Sequence, residues 1–156
     1  MTDGKLDEEK IKQTVSTAIR MLDNVININY YSVDTAKNSN MKHRPIGLGL
    51  MGFQDALYLQ NIPYCSDEAV EFADKSMEMI SYNAILASTE LAKERGAYES
   101  FEGSLWSQGI LPKDSLDILE KHRGKEYLQV DRSETLDWDS LRTVSYTHLR
   151  AHETPV

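Results

Sequence analysis

The chain has 156 residues, 40% of them hydrophobic and 27% charged, enough for one domain with a core of its own. A formal charge of −8 argues against a protein that grips nucleic-acid phosphates, and no run approaches the roughly 18 apolar residues of a membrane span. The acidic start Met1-Thr2-Asp3-Gly4-Lys5-Leu6-Asp7 lacks a secretory h-region, and the one cysteine, Cys65, excludes an internal disulfide and suits a reducing compartment, so a soluble cytoplasmic protein is expected.

The first predicted element is a helix from Asp7 to about Asn29. Ile11, Val15, Ala18, Ile19, Leu22, Val25 and Ile26 recur at three- and four-residue steps and share one face. Asp34 to Lys42 reads as a polar connection centred on Asn38-Ser39-Asn40. Ile46 to Leu50 reads as a short buried strand, followed by a helix from about Met51 to Gln60. Pro63 closes the next connection, and Ser66 or Asp67 caps a long helix that runs to about Arg95 and stops at Gly96. Its stripe is Val70, Ala73, Met77, Ile80, Ala84, Ala87 and Leu91. Ala97 to Pro112 is a loop whose Tyr98, Phe101, Leu105 and Trp106 imply packing against a larger body. A short helix follows from Asp114 to His122, ended by Gly124, and Asp137 caps a last one beginning at Trp138.

Chemistry-bearing residues are few, and each has a plainer reading. Gly47, Gly49 and Gly52 stand at G-x-G-x-x-G spacing, the pattern of a dinucleotide-binding turn. That fold needs a second strand ending in an acidic residue about 20 positions on, where this chain instead starts its long helix. Structural glycine packing is the better reading, and it predicts that Gly49→Val impairs folding. His43 has no carboxylate or nucleophile at a meaningful spacing. Cys65, beside a helix N-terminus, lacks a resolving cysteine or base. Tyr30 and Tyr31 divide between surface and core. Glu68, Glu71, Asp74 and Glu78 form a solvated acidic face. His148 and His152 have the i, i+4 spacing of helix-borne metal ligands but no supporting carboxylate pattern. No complete catalytic constellation is present, so no catalytic, cofactor-binding or metal residue is assigned.

Longer stretches carry a resemblance. Met21-Leu22-Asp23-Asn24-Val25-Ile26-Asn27-Ile28-Asn29-Tyr30-Tyr31, Ser39-Asn40-Met41-Lys42-His43-Arg44-Pro45-Ile46-Gly47-Leu48-Gly49 and Glu90-Leu91-Ala92-Lys93-Glu94-Arg95-Gly96-Ala97-Tyr98 resemble the large (α) subunit of class I ribonucleoside-diphosphate reductase. So do Ser100-Phe101-Glu102-Gly103-Ser104 and Ser107-Gln108-Gly109-Ile110-Leu111-Pro112. The likeness runs from about Gly4 to Arg142. It implies an α/β fold: residues 1–142 would be part of a ten-stranded α/β barrel, the segment itself mainly helical with few short strands. From Thr143 the sequence instead resembles translated sequencing-adaptor tails, so residues 143–156 are expected to be a non-native tail with weak order.

The resemblance further implies a parent enzyme that reduces ribonucleoside diphosphates through a thiyl radical. Its radical comes from a partner small subunit, two cysteines supply the reducing equivalents, and thioredoxin or glutaredoxin restores them. ATP and deoxynucleotides are its effectors, and the large subunit forms a homodimer. The family's reactive cysteines and effector sites lie upstream of this stretch and its substrate-phosphate loop shortly downstream. The segment itself is therefore expected to bind no cofactor and to be inactive, and Cys65 fills none of those roles. The rival expectation is a stand-alone helical interaction module that docks through the Val70 to Leu91 stripe.

Overall fold

The acidic turn Asp7-Glu8-Glu9 starts helix α1, Glu8–Ile28, where the Asp7 side chain accepts the Lys10 N–H at 3.0 Å. The computed structural model describes residues 5–128, 130–147, 149–150 and 152–153. Val15, Ile19 and Ile26 of α1 are buried as their spacing predicts. Val25 is not: with Met21 and Ile28 it forms an exposed row on the opposite side.

Residues expected to form a polar connection instead form helix α2, Asp34–His43. Its sequence carries no apolar stripe to announce it. What favours it is charge and a stop: Asp34 sits in the first turn, Lys42 and His43 in the last, and Arg44 terminates it in the left-handed region at φ 47°. Strand β1 is only Pro45–Ile46, shorter than the predicted 46–50. It pairs in parallel with β2, His152–Glu153, with Pro45 opposite His152. Helix α3, Phe53–Gln60, begins two residues later than predicted because Gly52, at φ 80°, is its left-handed lead-in.

Helix α4, Asp67–Arg95, is the 29-residue axis of the structure. Ser66 caps it as predicted, its Oγ accepting the Ala69 N–H at 3.2 Å, and Gly96 ends it at φ 82°. The single predicted stripe accounts for only one of its buried sides. Ala84, Ala87 and Leu91 pack on Val15, Ile19 and Ile26 of α1 and on Ile46. Ile85, about 100° further round, faces a second core with Tyr98, Phe101, Trp106, Leu111, Trp138, Leu141 and Leu149. The stripe's first members, Val70 and Met77, are exposed. Buried small polar residues, Ser88 and Thr89, lie on α4 as well, Thr89 Oγ1 donating to the Ile85 carbonyl at 2.9 Å.

The aromatic loop after Gly96 packs as its composition implies, with Tyr98 and Phe101 edge to face at 5.6 Å, while Leu105 stays exposed. Helix α5, Ser115–Arg123, stops at Gly124, and α6, Trp138–Ser145, starts at Asp137, which accepts the Ser140 N–H at 3.0 Å.

Of the stretch expected to be a non-native tail, residues 143–147, 149–150 and 152–153 are described. Helix α6 continues to Ser145, which is buried, Leu149 is fully buried in the second core, and the Tyr98 N–H donates to the Leu149 carbonyl at 3.1 Å. Leu149 joins the same buried cluster as Ile85 and Tyr98. His148 lies outside the described residues, as does the side chain of His152.

In all, the described residues are mainly helical, with one two-stranded parallel pair. None of their helices is long and apolar enough to cross a membrane.

Because Ile19 has no exposed surface in the α1–α4 core, Ile19→Ala is expected to cost about 2–5 kcal/mol of unfolding free energy in urea titration. Val25→Ala, on the exposed side of the same helix, is expected to change it by less than about 0.5 kcal/mol.

Candidate functional site

The chain's most concentrated polar chemistry is a buried ionic centre around Asp23 of α1. Asp23 has no exposed surface, and Arg44 is 3% exposed. Arg44 Nε donates to Asp23 Oδ1 at 2.8 Å, its Nη2 to the Asp23 carbonyl at 2.9 Å, and its Nη1 to Asn27 Oδ1 at 3.0 Å. From the end of α4, Arg95 Nη1 donates to Asp23 Oδ2 at 2.7 Å and to Asn24 Oδ1 at 2.8 Å. Arg150 Nε reaches Asp23 Oδ1 at a longer 3.3 Å, and its Nη1 donates to the Arg95 carbonyl at 3.1 Å. Burial first, then the neighbouring Arg44 charge, pull the Arg150 pKa down.

A buried carboxylate would be costly alone; here both oxygens are saturated by guanidinium donors, which offsets the desolvation. A carboxylate sealed in this way has no path for handing a proton to a substrate. It is a lock between helices.

Arg44 also carries backbone strain. A non-glycine residue in the left-handed region costs about 1–2 kcal/mol, and the hydrogen bonds to Asp23 hold it there. That turn delivers the chain from α2 into Pro45–Ile46 and the glycines.

The glycine stretch borders an apolar cavity of about 360 Å³ lined by Ile11, Val15, Ala18, Leu48, Phe53 and Ile80, with Asp7 and Lys10 among the other lining residues. No strand follows α3; a turn leads straight into α4, so the elements of a dinucleotide fold are missing among the described residues. The expected close approach at Gly47 and Gly49 is also missing, because a Cβ added at either meets nothing within 4 Å. Of these three glycines, only Gly52 has a conformation that favours glycine. The predicted folding cost of Gly49→Val therefore finds no steric cause in this chain.

A second hub is Glu78, halfway along α4. Its Oε1 accepts the Thr135 N–H at 2.9 Å, the Leu136 N–H at 3.2 Å and Trp138 Nε1–H at 2.9 Å, and its Oε2 accepts the Thr135 hydroxyl. Burial alone would raise the Glu78 pKa; the hydrogen bonds, led by Thr135 and Trp138, outweigh it and bring the pKa below the ordinary carboxylate value. Asp74, one turn earlier, is shifted upward, by burial and then by the charges of Asp131 and Glu78. Both line a cavity of about 410 Å³ with Lys113, Asp131, Arg132 and Trp138. Nearby, the Arg142 hydrogen bonds lower the Asp114 pKa.

The other sequence candidates remain apart. His43 Nδ1 lies 2.6 Å from Ser100 Oγ, an exposed contact tying α2 to the aromatic loop. Cys65 is exposed and free. Tyr30 is 87% exposed, while Tyr31 is half-buried and not in either core, its hydroxyl donating to the Ile26 carbonyl at 2.8 Å. Glu71 pairs with Lys75 on the helix surface, whereas Glu78 leaves the solvated face for its hub. No three His, Cys, Asp or Glu among the described residues are placed to hold a metal ion. Asp23 and Arg44 belong to no sequence motif, and their one signal is that Asp23 is a lone acid set between Ile19, Leu22 and Ile26 on an apolar stripe.

Comparison with known proteins bears on what this scaffold is part of. The family model described as the ribonucleotide reductase barrel domain matches residues 1–148. The chain is 56% identical over 146 residues to the ribonucleoside-diphosphate reductase subunit alpha of Chlamydia muridarum, covering 94% of this chain and 14% of that protein. It is 55% identical over 150 residues to the subunit alpha of Chlamydia trachomatis, covering 96% of this chain and 14% of that protein. Against the large subunit of Arabidopsis thaliana it is 44% identical over 117 residues, 75% of this chain and 14% of that protein. The chain thus spans about 14% of the length of these curated relatives.

Asp23→Asn leaves Arg44 buried without its counter-charge and is expected to cost about 3–5 kcal/mol in urea titration. Gly52→Val is expected to cost at least about 1–2 kcal/mol and Gly49→Val almost nothing, measured in the same way. For pH, Glu78 and Asp114 have folded pKa values below their unfolded ones. Their stabilisation is full above about pH 4.5 and is lost as pH falls through the folded values. Asp74, shifted upward, works in the opposite sense over the same range. The melting temperature should drop on acidification below about pH 4.5, and less steeply in Glu78→Gln.

Proposed function

This chain belongs to the ribonucleotide reductase barrel-domain family, and on that premise we propose that it is a scaffold segment of a large subunit whose complete form reduces ribonucleoside diphosphates to deoxyribonucleoside diphosphates. The observation that carries this is the 55–56% identity to two α subunits across nearly the whole chain. The complete subunit would pair with a radical-generating small subunit, form a homodimer, take ATP and deoxynucleotides as effectors, and be re-reduced by thioredoxin or glutaredoxin in the cytoplasm. Its ten-stranded barrel would include β1 as a piece of its wall.

The segment's own part is positional. Its two saturated carboxylate hubs, Asp23 and Glu78, bind helices together and offer no free acid, base or thiol pair. Reduction of a ribose carbon needs an electron pair and a hydrogen-abstracting radical, and a chain with one cysteine cannot supply a dithiol. Residues 143–156 we read as a foreign tail on sequence likeness alone; the nucleotide sequence across Arg142–Thr143 tests that reading.

Two assays test the function. Residues 5–142 grafted in place of the matching stretch of the Chlamydia muridarum subunit alpha should retain ribonucleotide reduction with its small subunit; a folded graft without activity would overturn the proposal. The chain by itself, given a small subunit and a dithiol, should show no turnover, and measurable deoxynucleotide formation would refute the scaffold role.

A further inference from the structure

We propose that residues 130–135 form a salt-released strap: ion pairs hold it over the cavity beside α4, and screening of those pairs lifts it while both cores stay closed. The inference concerns this chain's own residues and is independent of the large-subunit reading above.

Charge is what holds this stretch. Val130 is 48% exposed, and Asp131, Arg132, Ser133, Glu134 and Thr135 are all exposed, so no side chain of the strap enters either core. Nor does a backbone group of residues 130–135 bond to the backbone of another described segment. Arg132 instead reaches across to α5, its Nη1 donating to Asp117 Oδ1 at 2.8 Å and its Nη2 to Glu120 Oε2 at 2.6 Å. Glu134 Oε1 accepts from Lys113 Nζ at 2.6 Å. At the end of the strap the Glu78 carboxylate accepts both the N–H and the hydroxyl of Thr135. Asp131 accepts the Ser133 N–H at 2.8 Å, a bond within the strap itself.

Space, not packing, lies beside these residues. Asp131 to Glu134 form one wall of the cavity of about 410 Å³, and Asp74 and Glu78 of α4 stand on another. A segment that faces a cavity gains little from close contact. Its anchors are also of the weak kind: the side chains of Arg132 and Glu134 are 44% and 45% exposed, and ion pairs this open to water contribute little each and fade as salt rises. Ile85 and Leu91 of α4, by contrast, sit in apolar clusters whose burial does not depend on charge. The strap is therefore the element that opens first, and its opening uncovers the cavity.

Amide hydrogen exchange on the 156-residue chain tests this, in sodium chloride at about 0.02 M and at about 1 M, where the screening length falls to about 3 Å. The Thr135 amide, which donates to Glu78, should be protected at the lower salt and should exchange at least about 10-fold faster at the higher. The Ile85 and Leu91 amides should change by less than about 2-fold. In Arg132→Gln, which removes two of the anchoring pairs, the Thr135 amide should exchange at least about 3-fold faster than in the parent already at the lower salt. A Thr135 amide that is unprotected at the lower salt, keeps its protection at the higher, or speeds up only in step with Ile85 and Leu91 overturns the proposal. So does an Arg132→Gln chain whose Thr135 amide exchanges as in the parent. Unprotected Ile85 and Leu91 amides at the lower salt overturn it as well, because the strap requires both cores to be closed.

Discussion

One buried carboxylate sets the geometry of this chain. Asp23 sits on the apolar side of α1, where an unpaired charge would be intolerable, and its two oxygens dictate where Arg44 and Arg95 must be. Arg44 is the junction between α2 and β1, and Arg95 is the last residue of α4. The pair therefore fixes the ends of two further elements against the first. It also holds Arg44 in a backbone conformation it would otherwise leave.

Around that lock, α4 divides the interior. One side of the helix closes the core with α1, and another closes the core built from the aromatic loop and α6. Glu78 secures the second arrangement much as Asp23 secures the first, by collecting donors from the segment leading into α6. Both hubs spend their hydrogen-bonding capacity on the fold. Neither carboxylate is left free of partners among the described residues. The exposed row Met21, Val25 and Ile28 belongs to neither core.

Much was legible from residues alone where local rules act. Ser66 and Asp137 cap helices because short acceptors before an amphipathic run have few alternatives, and Gly96 and Gly124 stop them for equally local reasons. The long helix and the packed rings of the loop after it could be read in the same way. Helix α2 could not, since it has no apolar periodicity and depends on charges at its ends and on a stop imposed by Arg44. Nor could the function be read from spacing: the glycine pattern, His43 and Cys65 each suggested chemistry that their surroundings do not complete.

By itself, then, the sequence determined the capped helices, the absence of a dithiol and, through extended likeness, the family. Tertiary structure decided which sides of α1 and α4 are buried, because a helix can carry more than one apolar row and only its neighbours select among them. It decided too that Asp23 is a lock, since a lone acid on an apolar stripe acquires that role only when arginines 21 and 72 residues away fold back to meet it. And it removed the steric case for Gly47 and Gly49, whose need for bare backbone is set by what lies across from them in space.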